Sequence, residues 1–490
     1  MSAPTTRRRF LRLLGLASGA ALAPGALEAL CARVAVGANL RAGGYGPLAR
    51  DPGRLIDLPA GFTYRALSTA VLGREDDRRF SHKLTSGEPV PAFHDGMAAF
   101  PGPRGLTILV RNHELTPGDH PAVPGLPKYD ALGTGGTTTL WVDGDRRLVR
   151  SFPSLAGTFR NCAGGATPWG SWLSAEECTY MPGPRESASA DQRPDVRERH
   201  GYIFEVDSRA EGPVDPVPIR AMGRFCHEAA AVDPVTGFAY LTEDRSDGLL
   251  YRYRPDVIAR GIRRPKEMRV GDFARGGVLE AMKIVGRPGA GTQNWQSPTH
   301  FTLGRSFGVG WVRISEVDPD LDMERDPSDL NPIVSLRSSR TAENSTRAQG
   351  FRLGAAQFAR MEGITLRRRA LYFCATDGGR TRRGQVWRLD LAAGTLTLVV
   401  EPNDGSLLDG PDNLVSAPNG DLVVCEDGGG ENFVLGITPR GTIYRFARNA
   451  HNNSEFAGAT FAPDGRTLFV NVQDPGITFA IRGPWTRRQA

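Results

Sequence analysis

Six segments of the chain share a pattern that would bring several carboxylates and a thiol together. Each opens on a polar residue, passes through small residues, a turn and an apolar strand, and closes on an acid; they cover residues 94–114, 162–177, 227–244, 361–377, 411–427 and 454–474. Crowded carboxylates repel one another and lose hydration, and a bound multivalent cation relieves both costs. Hard oxygen ligands suit Ca²⁺, whereas a thiolate among carboxylates suits a redox metal such as iron. The pattern therefore predicts a mixed metal cluster.

The elements that would position these side chains are short hairpins. Residues 233–237, 417–420 and 462–465 contain the Gly, Pro, Asn and Asp of tight turns, and apolar strands such as Leu422–Val424 follow them. Glycine and proline together make up 95 of 490 residues, which favours many short strands. Six similar hairpins predict an all-β, six-bladed β-propeller with loop and helical insertions. A β-sandwich, or two domains with chance turn resemblance, is the alternative.

Composition excludes several classes of protein. The chain is 40% hydrophobic and 23% charged, which is ordinary globular usage and excludes a mainly disordered or fibrous chain. The formal net charge is +6, but five arginines and one glutamate among the first 40 residues contribute +4 of it. The nearly neutral remainder offers no electrostatic case for binding nucleic acid.

The first 40 residues are interpreted as a twin-arginine export signal with its linker. Arg7, Arg8 and Arg9 precede an apolar run from Leu13 to about Ala29 that glycine and proline interrupt. A membrane anchor is the alternative, although the run is short for a membrane span. We therefore expect a periplasmic or secreted protein that engages the twin-arginine export machinery. Residues 41–490 are predicted to form a single propeller domain and, because a propeller is closed, a monomer.

A set of motifs along the mature chain resembles the PhoX-type alkaline phosphatases. The matching segments, in chain order, are residues 111–114, 157–165, 167–173, 176–177, 223–228, 360–363, 412–413, 454–458 and 469–473. Each segment is weak alone, but the ordered set is specific. The chain departs from the family pattern at Asp474, where a histidine is expected, and it is short for the family.

The resemblance implies a six-bladed propeller whose channel holds two iron ions and several calcium ions and hydrolyses phosphate monoesters. By the same resemblance Cys162 would be the thiolate ligand of iron, and Arg360 would bind the substrate phosphate. The carboxylates implied as iron and calcium ligands are Glu177, Glu228 and Glu362. The calcium candidates are Glu114, Asp412, Asn413, Glu426 and Glu455. Arg111 and Arg380 are weaker candidates for phosphate binding.

Two other functions remain open from the sequence. One is a calcium-dependent propeller hydrolase that opens lactones or phosphotriesters, and the other is a non-catalytic propeller whose metals are structural. Cys162 separates the first from a phosphatase, because a site that holds only calcium has no use for a thiol. It lies in the Gly-rich segment 161–165, although a buried structural thiol remains its alternative role. The sequence contains no Gly-x-Ser-x-Gly elbow, Walker loop or His-Glu-x-x-His motif.

Overall fold

The computed structural model describes residues 44–70, 81–182, 195–296, 300–320 and 344–485. The predicted signal segment, residues 1–40, lies outside this part of the chain. The described residues form an all-β structure with few helices, namely α1 (Asp256–Ala259), α2 (Thr346–Arg352) and four 3₁₀ turns at Pro103–Gly105, Arg220–Met222, Pro265–Glu267 and Phe273–Arg275. None of the described helices has the length and apolar character needed to cross a membrane.

The first half of the described chain contributes sixteen strands. They are β1 (Leu48–Ala49), β2 (Ile56–Pro59), β3 (Thr63–Thr69), β4 (His94–Pro101), β5 (Thr107–His113), β6 (Gly135–Val142), β7 (Leu148–Thr158), β8 (Asn161–Ala166), β9 (Ser171–Glu176), β10 (Ile203–Asp207), β11 (His227–Val232), β12 (Ala239–Glu243), β13 (Gly248–Leu249), β14 (Tyr251–Pro255), β15 (Gly277–Ile284) and β16 (Ser306–Arg313).

The second half contributes twelve more. They are β17 (Gln357–Phe358), β18 (Met361–Arg367), β19 (Ala370–Ala375), β20 (Gln385–Asp390), β21 (Thr395–Val400), β22 (Pro411–Ser416), β23 (Leu422–Glu426), β24 (Phe433–Ile437), β25 (Ile443–Asn449), β26 (Phe456–Phe461), β27 (Thr467–Val472) and β28 (Ile477–Arg482).

All six repeated segments form antiparallel hairpins, as the turn residues predict. The hairpins are β4–β5, β8–β9, β11–β12, β18–β19, β22–β23 and β26–β27. In every one, the register of the first strand shifts by one residue near its start, so that two residues face one on the partner strand. This is a β-bulge, which leaves the extra residue unpaired and re-aims its side chain.

The first strands of the hairpins form a closed set, here called the inner ring. Along this ring β4 contacts β8, then β11, β18, β22 and β26 follow in turn, and β26 contacts β4. The strands approach so closely that a Cβ on Gly96 would lie 2.5 Å from the Cα of Ala163, and one on Gly363 would lie 2.8 Å from the Cα of Asn413. Glycine at these two positions therefore permits the ring to close. The arrangement is propeller-like.

The described sheets do not form six separate blades. One four-stranded sheet contains β4–β7, and another contains β26–β28 with β3. A three-stranded sheet contains β8–β10, and a six-stranded sheet contains β22–β25 with β1 and β2. The third and fourth hairpins instead share a nine-stranded sheet, because β16 pairs with both β15 and β21. The segment between Glu243 and Glu362 supplies β16, so the two sheets are joined through a strand of this segment.

Apolar faces pack between neighbouring sheets. Between β22–β25 and β26–β28, for example, Phe446, Phe456 and Phe479 belong to one buried cluster. The β26–β28 sheet is completed by β3 from the other end of the chain, which pairs with β28. Arg111 on β5 is fully buried and donates to Ser68 on β3 (2.9 Å) and Thr478 on β28 (2.7 Å), so it joins these strands and is not available to a substrate.

Candidate metal centre

The six bulges occur at the same position of each inner strand. In each bulge two residues face one residue of the partner strand, and the first of the two is called here the bulge position. The six bulge positions are Asp95, Cys162, Glu228, Glu362, Asp412 and Gly458. Five of the six therefore carry a carboxylate or a thiol, and all five side chains are buried. Because the inner strands are in contact around the ring, the bulges direct these groups toward one another.

Two groups of ligand atoms result, and they share one residue. The first group contains Cys162, Glu177 and Glu228, and the second contains Glu228, Glu362 and Asp412. Within each group one atom from every residue lies within 4.8 Å of the others. Each group has the size of a cation site, and Glu228 is placed to contribute to both. The structure thus brings together five residues that the resemblance named as ligands.

The electrostatics of these groups favour a bound cation. Burial raises the pKa of Glu228, and nearby Asp412 and Glu177 raise it further. Burial also raises the pKa of Glu362 and of Asp412, with neighbouring carboxylates adding to the effect. Burial raises the pKa of the Cys162 thiol as well, and nearby carboxylates such as Glu228 raise it further. Ionised forms of all these groups need compensating positive charge, and their oxygen and sulfur donors match the ligand preferences of calcium and iron.

Two partly exposed arginines, Arg160 and Arg360, supply part of that charge. The edge of the inner ring at which they lie is called here the rim. Arg360 donates from Nε and Nη2 to the carboxylate of Asp244 at 3.0 and 2.8 Å, and from Nη2 to Glu362 at 3.1 Å. Arg160 makes ion pairs through Nη2 with Glu114 at 2.8 Å and with Glu177. Burial raises the pKa of Asp244 to about 6, although Arg360 opposes the shift.

The remaining calcium candidates lie beside these groups with their own partners. Gln473 donates from Nε2 to Glu114 at 2.8 Å and to Asp95 at 3.4 Å. The side chain of Asn413 donates from Nδ2 to Asp412 at 3.2 Å, and its Oδ1 accepts the backbone N–H of Gly458 at 2.6 Å. Burial raises the pKa of Glu455, and Asp412 and Asp427 raise it further, so Glu455 belongs to the same acidic environment.

Glu426 is placed differently from the other candidates. Its Oε1 accepts the backbone N–H of Asp409 at 2.8 Å, and among the described residues neither ligand group contains it. Glu176 and Glu243 occupy the matching hairpin position, opposite the residue before the bulge. Both of these bind backbone N–H groups too, as Glu176 does with Gly201 and Glu243 with Leu249. The acid that faces Asp412 and Glu455 is the next residue, Asp427.

Sequence reasoning therefore missed several residues of the centre. They are Asp95, Arg160, Asp244, Asp427 and Gln473. A signal existed for some of them, since Asp95 aligns with Cys162 at the bulge position and Asp244 follows Glu243 as Glu177 follows Glu176. Extending the ligand role of Cys162 and Glu228 to the opening residue of every repeat would have identified Asp95.

A buried charged triad supports the strand end that carries Glu177. His200 lies between Glu176 (Nδ1 to Oε1, 2.6 Å) and Asp130 (Nε2 to Oδ2, 3.3 Å), and all three side chains are fully buried. Burial alone would lower the pKa of His200, but the two carboxylates raise it to about 9. The triad connects β9 with the segments that hold residues 130 and 200.

Folding stability is expected to depend on the charge of His200. Its pKa is higher in the folded protein than the ordinary 6.5, so its contribution is complete below about pH 6.5 and is lost as the pH rises through about 9. The shift corresponds to roughly 3 kcal/mol. In urea unfolding at fixed metal concentration, the advantage of wild type over His200→Gln should shrink between pH 6 and pH 10. Replacing the exposed His120 with Gln is the control, and an equal advantage at both pH values contradicts the assignment.

Comparison with known proteins identifies relatives of this arrangement. A sequence model described as alkaline phosphatase PhoX matches residues 43–150 and 136–476. The solved structure of Pseudomonas fluorescens PhoX in complex with vanadate, a transition state analogue, aligns with a TM-score of 0.62 at 19% identity, covering 91% of this chain and 98% of that one. A luciferin-regenerating enzyme aligns over 80% of this chain and 92% of its own, at 9% identity and a TM-score of 0.39. A gluconolactonase from Xanthomonas campestris aligns over 86% and 97%, at 12% identity and a TM-score of 0.33. No curated protein sequence matches the chain. Because the family match extends over most of its length, the chain belongs to the PhoX family of alkaline phosphatases.

Proposed function

We propose that this protein hydrolyses phosphate monoesters at a cluster of iron and calcium ions within the inner ring. The observation that carries the proposal is the shared position of Glu228 in two adjacent ligand groups, one of which contains the thiol of Cys162. A pair of adjacent cation sites is the arrangement that stabilises both oxygens of an in-line phosphoryl displacement. The family match supports the same reaction class.

The proposed ligands divide by donor chemistry. Cys162, Glu177 and Glu228 form the group suited to iron, because it contains the thiol. The surrounding oxygen donors suit calcium, and they include Glu114, Glu362, Asp412, Asn413 and Glu455 as expected from the resemblance, together with Asp95 and Asp427. Glu426 is the least suited of the predicted ligands, since it binds the backbone of Asp409. When bound, the cations supply positive charge to the phosphoryl oxygens.

Arg360 is the proposed phosphate-binding side chain. Asp244 holds its guanidinium from one edge, through Nε and Nη2, and Glu362 accepts from Nη2. The Nη1 end takes part in neither contact and can donate to a phosphate oxygen. A fixed guanidinium beside the transferred group neutralises charge on its equatorial oxygens. The solved structure of Pseudomonas fluorescens PhoX contains vanadate, a transition state analogue. Vanadate, like phosphate, is an oxyanion, and we propose that the site of this protein accepts such oxyanions.

We further propose that the protein is a six-bladed propeller and that it is exported. The closed contacts of the inner ring support six blades, of which two share a sheet through β16. Arg7–Arg9 and the apolar run after them support export through the twin-arginine machinery. Because a closed propeller leaves no open sheet edge, we propose that the exported protein is a monomer. The substrates are small-molecule phosphate esters.

Metal content and hydrolysis, measured on the same preparation, test the proposed function. The mature protein is purified from a host with twin-arginine export, and its metals, visible spectrum and hydrolysis of p-nitrophenyl phosphate at alkaline pH are measured. We expect iron and calcium, a visible thiolate-to-iron band and turnover. Calcium alone without turnover would contradict the proposal and favour a lactonase or a binding propeller.

A further inference from the structure

Arg160 and Arg360 occupy the same place in two different repeats. Each lies two residues before a bulge position, Arg160 before Cys162 and Arg360 before Glu362. Both backbones adopt a positive φ, +45° at Arg160 and +52° at Arg360, although neither residue is glycine. Phe93 and Gly410 occupy the equivalent position in two other repeats with φ of +46° and +60°, so this backbone conformation belongs to the repeat. The two arginines are therefore related by the internal repeat.

The two guanidinium groups are also held in the same manner. Both ion pairs of Arg160 are made by Nη2, and Asp244 and Glu362 hold Arg360 through Nε and Nη2. The Nη1 end of neither side chain takes part in these contacts. In addition, Nε of Arg160 is buried without a hydrogen-bond partner among the described residues. The side chains remain 26% and 35% exposed, so a ligand at the rim can reach them.

The carboxylates between the two arginines connect them around the rim. Glu177 makes an ion pair with Arg160 and lies close enough to Asp244 to raise its pKa, and Asp244 in turn binds Arg360. Glu177 is also a member of the ligand group with Cys162 and Glu228. An anion bound over this group would meet a guanidinium on each side.

We propose that Arg160 is a second phosphate-binding residue, which forms a two-arginine clamp with Arg360. The inference rests on the proposed phosphatase function and adds a substrate preference to it. A phosphate monoester carries up to two negative charges, which two guanidinium groups can balance, and its third non-bridging oxygen remains for the proposed cations. A diester has one charge and only two non-bridging oxygens, so the two guanidinium groups would leave none for the cations. The clamp therefore favours monoesters over diesters at this site.

Replacing Arg160 with lysine tests the clamp while keeping the positive charge beside Glu114 and Glu177. A lysine lacks the planar fork of the guanidinium. We expect the inhibition constant of inorganic phosphate to rise about 10- to 100-fold, the range for loss of a hydrogen bond to a charged group. Metal content should be unchanged. The ratio of kcat/KM for p-nitrophenyl phosphate to that for bis(p-nitrophenyl) phosphate should fall, and Arg160→Gln should show both effects more strongly.

Two comparison variants make the result specific. Arg360→Lys should change the same two quantities in the same direction. Arg199→Lys replaces an arginine of equal exposure, 27%, which pairs with Asp318 and Asp320, and it should change neither. If the inhibition constant of inorganic phosphate is unchanged in fully metallated Arg160→Lys, the clamp is wrong. The proposed function still stands in that case, provided that the wild-type protein is active. Loss of metal in step with phosphate affinity also overturns it, because Arg160 would then only hold the two glutamates. Inactive, metal-free wild type overturns both proposals.

Discussion

Replacing Glu228 with glutamine is expected to remove metal from both ligand groups and to lower phosphatase activity by at least about 100-fold. Loss of a group that merely supports a metal ligand already lowers affinity or activity by about 10- to 100-fold, and Glu228 belongs to both groups. A neutral amide keeps the size of the side chain but removes the charge that would bind the two cations. Metal content by mass spectrometry and hydrolysis of p-nitrophenyl phosphate measure the two effects.

The matched control is Glu243→Gln in the same hairpin. Glu243 is as buried as Glu228, but it pairs with Arg347 at 2.7 Å and lies in neither ligand group of the described residues. Its replacement should lower stability while metal bound per folded molecule remains at the wild-type level. If Glu228→Gln retained the full metal content and activity, the shared-ligand arrangement would be wrong.

Replacing Cys162 with serine is expected to have a more selective effect. Cys162 belongs to the first group only, so the second group, with Glu228, Glu362 and Asp412, keeps all its ligands. The serine hydroxyl is a harder donor than a thiolate and is far less acidic than a thiol, so it does not replace sulfur as a ligand of iron. We expect loss of iron and of the visible thiolate band, retention of calcium, and an activity loss of about 100-fold or more.

A second buried thiol provides the comparison for Cys162. Cys374 is fully buried on β19, opposite the bulge at Glu362, and lies in neither ligand group of the described residues. Cys374→Ser should therefore keep the iron, the visible band and the activity. Retention of iron and of full activity in Cys162→Ser would contradict the assignment of this thiol and would remove the main reason for iron.

The hairpins could be predicted from the sequence because local chemistry determines them. The turn at 417–420, for example, contains proline, asparagine and glycine between apolar strands, and it forms the β22–β23 hairpin. The bulges could not be predicted in this way. They depend on how closely neighbouring inner strands approach, as Gly96 approaches Ala163, and that contact joins residues from different hairpins.

The same limit applies to the candidate centre. Side chains of successive residues along a strand point to opposite faces, and the sequence alone does not show that Glu426 binds the backbone of Asp409 while Asp427 lies near Asp412. The bridge from Arg160 to Glu114 and the approach of Glu177 to Asp244 join residues from different repeats. Only the residue types at these positions were visible in the sequence, while their pairing follows from closure of the ring.

The pairing of β3 with β28 has a consequence for how the protein is made. β3 ends at Thr69 and its partner begins at Ile477, so the first of the two strands leaves the ribosome long before the second exists. The last sheet therefore closes only when synthesis is nearly complete, and pairings so distant in sequence form slowly. The two ligand groups draw on residues from 162 to 412, but the inner ring around them closes only when β26 (Phe456–Phe461) contacts β4 and β22. The proposed metal cluster would therefore be enclosed only in a nearly finished chain, and a bound cluster would mark a molecule whose synthesis and closure have both succeeded.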